Sequence, residues 1–281
     1  MAKDNHLGTG EYDPEKYWGA RAKSSEGSPL AAVCVFGALQ SENESASKVQ
    51  IRAIRKILKG LDLEGKTVLE FGCGVGRLIP LFKKVRSRWH GVDISDDMLS
   101  MARNVHGYAE LTKIINHKIP YANLSMDFAY SVTVIHHNPY GDQEKIASEL
   151  SRILKKGGYL LILEDLGEKG QFNMFPRSRE SWIKLFEQNG LTLYKQSGLR
   201  YWIIRDLLLT LKGVLYKNFK RYSPASEEVI GKKEPVDQKK SMNGAFRKMT
   251  GWLDLILDPY IYPLVPESSQ TAAVMLFYKA P

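Results

Sequence analysis

Val68-Leu69-Glu70-Phe71-Gly72-Cys73-Gly74-Val75-Gly76-Arg77-Leu78 constrains this chain more than any other stretch. A short apolar strand enters a loop with glycine at every second position and leaves into an apolar, helix-like run. Glycines at that spacing let the backbone turn tightly and let a ligand approach its N–H groups, with the next helix starting at the ligand. The pattern suits a nucleotide-bearing cofactor in an α/β fold. The dinucleotide fingerprint G-x-G-x-x-G needs a small residue where Arg77 stands, which disfavours NAD and FAD.

At 281 residues the chain has room for one large domain, or one domain with a sizeable insertion. Cys34 and Cys73 cannot form a disulfide framework, and no metal-ligand spacing of Cys and His occurs, so no metal is expected. A reducing, cytoplasmic compartment is the expectation. The first thirty residues hold no apolar run of the signal-peptide kind, and no stretch is long and apolar enough to span a membrane. The net charge of +9 is concentrated. Residues 195–250 carry 13 Lys and Arg against 5 Asp and Glu, a net of +8, which leaves +1 for the rest.

Residues 1–30 are rich in Gly, Ser and charge and read as loop, with an aromatic knot at Tyr17-Trp18. A helix is expected at 48–61, where Val49, Ile51, Ile54, Ile57, Leu58 and Leu61 recur at helical spacing. Val92-Asp93 ends a second strand. An acid there, 17 positions after Gly76, is placed to accept hydrogen bonds from ribose hydroxyls. Ser95 caps the following helix, which contains Met98. A third strand is expected at 109–115, and a fourth from Met126 runs out to His136-His137. Histidine titrates near neutrality and suits proton removal from a hydroxyl or amine. A helix at 146–154 is expected to close with Lys155-Lys156 in its last turn and Gly157-Gly158 as its stop. A buried strand at 159–163, a helix at 178–190 and strands at 191–196 and 271–278 follow.

E-F-G-C-G-V-G at 70–76 resembles the first motif of class I S-adenosylmethionine-dependent methyltransferases of the small-molecule type. L-S-R-I-L-K-K-G-G-Y-L-L-I-L-E at 150–164 is similar to another element of that family. The resemblance implies a Rossmann-like, doubly wound, seven-stranded α/β sheet with an antiparallel last strand. It implies S-adenosylmethionine as cofactor, held by Glu70, Gly72, Gly74 and Gly76, with Asp93 on the ribose and Ile94 and Met98 near the adenine. Asn116 would sit beside the adenine amino group, and Ser131 and Val132 would lie against the cofactor. His136 and His137 would face the acceptor, as proton acceptor or as residues that shape the site. Tyr-Trp-Gly-Ala-Arg at 17–21 resembles a family lead-in in which an aromatic and an arginine, here Tyr17 and Arg21, fold over the methionine end.

The resulting division is an N-terminal arm at 1–44, a core at 45–197 plus 271–281, and a mainly helical insertion at 198–270. Ile204, Leu207, Leu208, Leu211 and Leu215 line one helix face in the insertion, with lysines and arginines around it. Three readings of it stay open: a lid over the acceptor pocket, a contact with an anionic membrane, or a nucleic-acid contact. The expected acceptor is a hydroxyl or amine on a small molecule, a sugar or a lipid-linked saccharide. The alternatives are a nucleic-acid-modifying methyltransferase that works through the basic insertion, and a cofactor-binding interaction protein without catalysis.

Overall fold

The computed structural model describes residues 12–25, 28–34, 40–107, 110–170, 172–199 and 270–281, together with Met249 and Leu253. In chain order the elements are α1 Pro14–Ser24, α2 Pro29–Val33, α3 Gln40–Leu58, β1 Thr67–Phe71, α4 Ile79–Lys83, β2 Arg88–Asp93 and α5 Asp96–His106. They continue with β3 Leu111–Lys113, β4 Met126–Val132, α6 Tyr140–Ile153, β5 Leu154–Asp165, α7 Arg179–Glu187, β6 Thr192–Leu199 and β7 Ala272–Tyr278.

The strands form one seven-stranded sheet in the order β3-β2-β1-β4-β5-β7-β6. β1 to β5 pair in parallel, and β7 runs antiparallel to both of its neighbours. Strand residues alternate between two cores, as a sheet covered on both faces requires. Val68, Phe128, Tyr130, Leu161 and Leu276 face one layer with Ile54 of α3, Phe82 of α4 and Leu99 of α5. Leu69, Ala129, Leu160, Ile162 and Phe277 face the other, with Ile146 and Leu150 of α6 and Trp182 and Phe186 of α7. Connections diverge between β1 and β4, so a crevice opens at their carboxyl ends.

Several local expectations change. The N-terminal segment is helical from Pro14, because Asp13 caps it by accepting the Lys16 N–H and Pro14 starts the first turn. α3 begins at Gln40, well before residue 48, so its first turns cross the expected boundary at 44. β3 is shorter than the stretch read for it. Lys155 and Lys156 do not belong to a helix end. The chain becomes extended at Leu154, which pairs with Met126, and the next pair is Phe128 with Tyr159. The intervening residues bulge, with Gly157 at φ 78° and the Lys155 ammonium 2.8 Å from Asp127. β6 continues to Leu199, whose carbonyl accepts the Thr271 N–H at 2.9 Å. Ala272 pairs with both Leu199 and Asp165, so the chain leaves and rejoins the sheet at its carboxyl edge. The helix expected on the face of Ile204 to Leu215 lies outside the described residues; within the insertion Met249 and Leu253 are described as helical.

Candidate active site

The glycine loop is built so that no side chain fits. Gly72, Gly74 and Gly76 adopt φ of +71°, +50° and +74°, a region that costs other residues about 1–2 kcal/mol. A Cβ on Gly72 would lie 2.4 Å from the Val134 side chain, and one on Gly74 2.8 Å from Val33. One on Gly76 would lie 2.5 Å from Ile79. The loop N–H groups, expected to meet a ligand, are turned inward instead. Gly72 and Cys73 donate to the Val92 carbonyl, Gly76 donates to the Cys73 carbonyl, and Gly74 donates to Asp93 Oδ2 at 2.8 Å. α4 follows only at Ile79 and is five residues long, so its N-terminus adds little. The loop acts by the shape it gives the crevice.

That crevice is a pocket lined by Glu70, Gly72, Gly74, Asp93, Ile94, Met98 and Val132 among others. Asp93 is buried, with Oδ1 accepting the Ser95 N–H at 2.9 Å and Oδ2 taken by Gly74. A carboxylate has about four lone-pair sites, so each oxygen keeps one for a ligand. Burial pushes the Asp93 carboxyl up, against the backbone N–H groups of Ser95, Gly74 and Ile94. Glu70 accepts the Tyr130 hydroxyl at 2.8 Å, and Tyr130 in turn accepts the Trp89 indole N–H at 2.8 Å. Burial pushes Glu70 up to about 8, with Tyr130 and the Arg77 guanidinium pulling the other way.

The remaining expected residues stand elsewhere. Tyr17 and Arg21 share the buried side of α1, away from the pocket, while Pro14 and Trp18 line it. Positions four apart on a helix share a face, and reading the segment as a loop concealed this. Arg21 donates to the Ala31 and Cys34 carbonyls at 3.0 and 2.8 Å and so ties α1 to α2. Asn116 is exposed at φ 51°, because the chain reverses between Ile115 and Lys118; the next residue, His117, lines the pocket. Gly76 supports the loop without lining the pocket, and Ser131 is buried within β4 with its hydroxyl unpaired. Thr133, which does line it, holds φ 57°, a rare value for a β-branched residue. Arg77, also in the lining, donates to Ser47 Oγ at 3.3 Å and Gln50 Oε1 at 2.5 Å, binding the loop to α3.

His136 and His137 form a 3-10 turn, Ile135–His137, beyond β4. His136 is buried, and its Nδ1 lies 2.6 Å from Glu164 Oε2 at the end of β5. Burial lowers its basicity, but Glu164 and Asp165 outweigh that and raise it overall. His137 is half-buried, and its Nδ1 donates to the Asn173 carbonyl at 2.7 Å. Its ring meets the edge of Trp18 at a centroid distance of 5.0 Å. Neither imidazole lines the pocket itself, whereas Trp18, in contact with His137, and Asn138, next in the chain, do.

Residues 69–162, from β1 through most of β5, match the family model described as a methyltransferase domain. This chain carries a class I methyltransferase domain. The class uses S-adenosylmethionine as methyl donor. The chain is 28% identical over 173 residues to a fatty-acid O-methyltransferase of Mycolicibacterium smegmatis, covering 59% of each chain. It is 35% identical over 145 residues to a ribosomal protein L11 methyltransferase of Pectobacterium carotovorum, covering 47% of this chain and 48% of that one. The chain thus spans about half to three-fifths of the length of these relatives. A phosphoethanolamine N-methyltransferase of Haemonchus contortus, solved with S-adenosylhomocysteine, shares the fold. Its TM-score is 0.51 at 19% identity, over 83% of this chain and 52% of that one.

Proposed function

We propose that this protein transfers a methyl group from S-adenosylmethionine to a hydroxyl or amine of a small-molecule, sugar or lipid-linked acceptor. The observation that carries the reading is one pocket lined by carboxyl groups and apolar side chains together. Glu70 and Asp93 offer carboxyl groups beside the apolar walls of Ile94, Met98 and Ile114. Such a donor set fits a ligand with a cationic amino-acid end, a ribose and an adenine. The loop whose glycines leave no room for a Cβ fits the close approach of that ligand. Thr133, Val134 and Asn138, which flank the turn that carries the two histidines, line the same pocket.

Bound S-adenosylmethionine supplies a methyl group already activated on a sulfonium sulfur. The task left to the chain is orientation and exclusion of water. Asp93 accepts the ribose hydroxyls with its free lone pairs while holding the loop through Gly74. Glu70 meets the cationic end, and Pro14 and Trp18 cover the pocket. A histidine of the 135–137 turn accepts the acceptor's proton. The fatty-acid relative favours testing acyl-bearing acceptors first. The experiment is transfer of isotopically labelled methyl from the cofactor into a fractionated cell extract, with identification of the labelled product. Label in a small molecule or lipid supports the reading; label confined to protein or nucleic acid overturns the acceptor class.

A further inference from the structure

We propose that the groove between the end of α3 and α4 is a binding site for a single-chain anionic amphiphile, an acyl or alkyl chain with a carboxylate or phosphate head. The inference goes beyond the methyl-transfer reading and does not depend on it. The groove has a cavity volume of about 460 Å³, within the range of about 300–1,000 Å³ usual for small-ligand sites. Leu58, Leu61, Leu63, Leu81, Phe82 and Val85 form its apolar lining. Leu63 and Phe82 belong to the buried core on that face of the sheet, Leu58, Leu61 and Leu81 pack against it, and Val85 is 40% exposed. The core therefore reaches the surface here instead of closing under polar side chains.

Arg55, Lys56 and Lys59 line the same groove, and no acid does. Arg55 and Lys56 stand in the last turn of α3, where the helix dipole favours cations. The dipole accounts for cations at a helix end but not for an open aliphatic floor beside them. The two acids of the neighbouring loop are engaged, since Glu64 pairs with Arg86 at 3.3 Å and Asp62 accepts the Glu64 N–H at 3.0 Å. Residues 52–88 carry 10 Lys and Arg against 3 Asp and Glu, a net of +7. The stretch at 195–250, itself net +8, has the same sign and is not complementary to this rim.

The groove is remote from the methyl-transfer pocket. Leu61 and Leu63 precede β1 and Val85 precedes β2, at the amino edge of the sheet, whereas Glu70, Gly72 and Asp93 lie at the carboxyl ends. The length of β1 separates the two by about 15 Å, so an amphiphile held here does not receive the methyl group. A nucleotide fits poorly as well. Residues 60–67 read G-x-x-x-x-G-K-T, but the string runs from a helix into a strand, the reverse of a phosphate loop. Its later N–H groups are spent inside the protein: Gly65 on the Arg86 carbonyl at 3.1 Å, Lys66 on the Leu63 carbonyl at 3.2 Å, and Thr67 on Asp127 at 2.9 Å. A cationic rim over an aliphatic floor matches a ligand that is anionic at one end and apolar along its length.

The test is calorimetric titration of monododecyl phosphate, below its critical micelle concentration, into the full chain. One site per chain is expected, filled equally well when S-adenosylhomocysteine is present. Hexyl phosphate should bind at least about tenfold more weakly, as the loss of six methylenes implies, and inorganic phosphate should not bind. Lys56→Glu combined with Lys59→Glu should weaken dodecyl phosphate at least about tenfold. Lys118→Glu combined with Lys184→Glu, at exposed positions elsewhere, changes the total charge equally and should alter affinity by less than about threefold. Val85→Asp, at an exposed position, should weaken binding while thermal melting shows the fold kept. No binding, an equal loss in both lysine pairs, inorganic phosphate binding as well as dodecyl phosphate, or displacement by S-adenosylhomocysteine would overturn the proposal. So would sedimentation with phosphatidylglycerol vesicles without binding of the monomeric amphiphile, which would make this face a membrane contact instead.

Discussion

Glu70 links protons to the ligand. With the carboxyl raised to about 8 by burial, it is largely protonated at neutral pH when no cation is near. A cationic ligand end beside it favours the carboxylate, so binding at pH 7 should release a fraction of a proton. Calorimetric titrations of S-adenosylmethionine in two buffers of different ionisation enthalpy should show this release, and Glu70→Gln should abolish it. The same shift has a stability consequence. A carboxyl raised in the folded state gives stability present below its unfolded value near 4.5 and lost as pH rises through about 8. Thermal melts of the unliganded protein should therefore weaken across that window more than those of Glu70→Gln. Residues whose place is set by the end of a strand, such as Glu70, Asp93 and Val132, were legible as pocket residues from sequence. Asn116 was not, because a left-handed turn rotates it outward and brings in His117, and nothing in a short polar run fixes that turn.

Among the elements, the glycine loop and α1 decide the shape of the pocket. Gly72→Ala should cost about 2–5 kcal/mol in denaturant unfolding, from a left-handed φ plus the collision with Val134. Gly141→Ala in α6 is the matched control. Nothing stands within 4 Å of its would-be Cβ, so it should be neutral or stabilise by up to about 1 kcal/mol. Parallel strands read clearly because each is a short apolar run buried on both faces. α1 was obscured by composition: its start signal, Asp13 followed by Pro14 and Glu15, lies in a polar segment whose apolar face is narrow. Reading that segment as loop drew attention to Tyr17, whereas helical geometry turns Trp18 into the pocket.

At the scale of the molecule, the seven-stranded sheet with its antiparallel last strand was expected from the resemblance carried by two motifs, while the strand order is a finding of the structure. The stretch between β6 and β7 had no such anchor, and its acceptor role rests on charge and periodicity alone. Leu199 and Thr271 are joined by a 2.9 Å hydrogen bond, so replacing residues 200–269 by a short Asn-Gly turn should preserve the sheet and cofactor binding. Circular dichroism and calorimetry on that variant check this. The most direct measurement is calorimetric titration of S-adenosylmethionine into the full chain and into Asp93→Ala, both verified as folded. The expected result is one site per chain, weakened at least about tenfold in Asp93→Ala, as loss of hydrogen bonds to a charged group implies. No binding to the unaltered chain, or equal affinity in Asp93→Ala, would contradict the pocket assigned here.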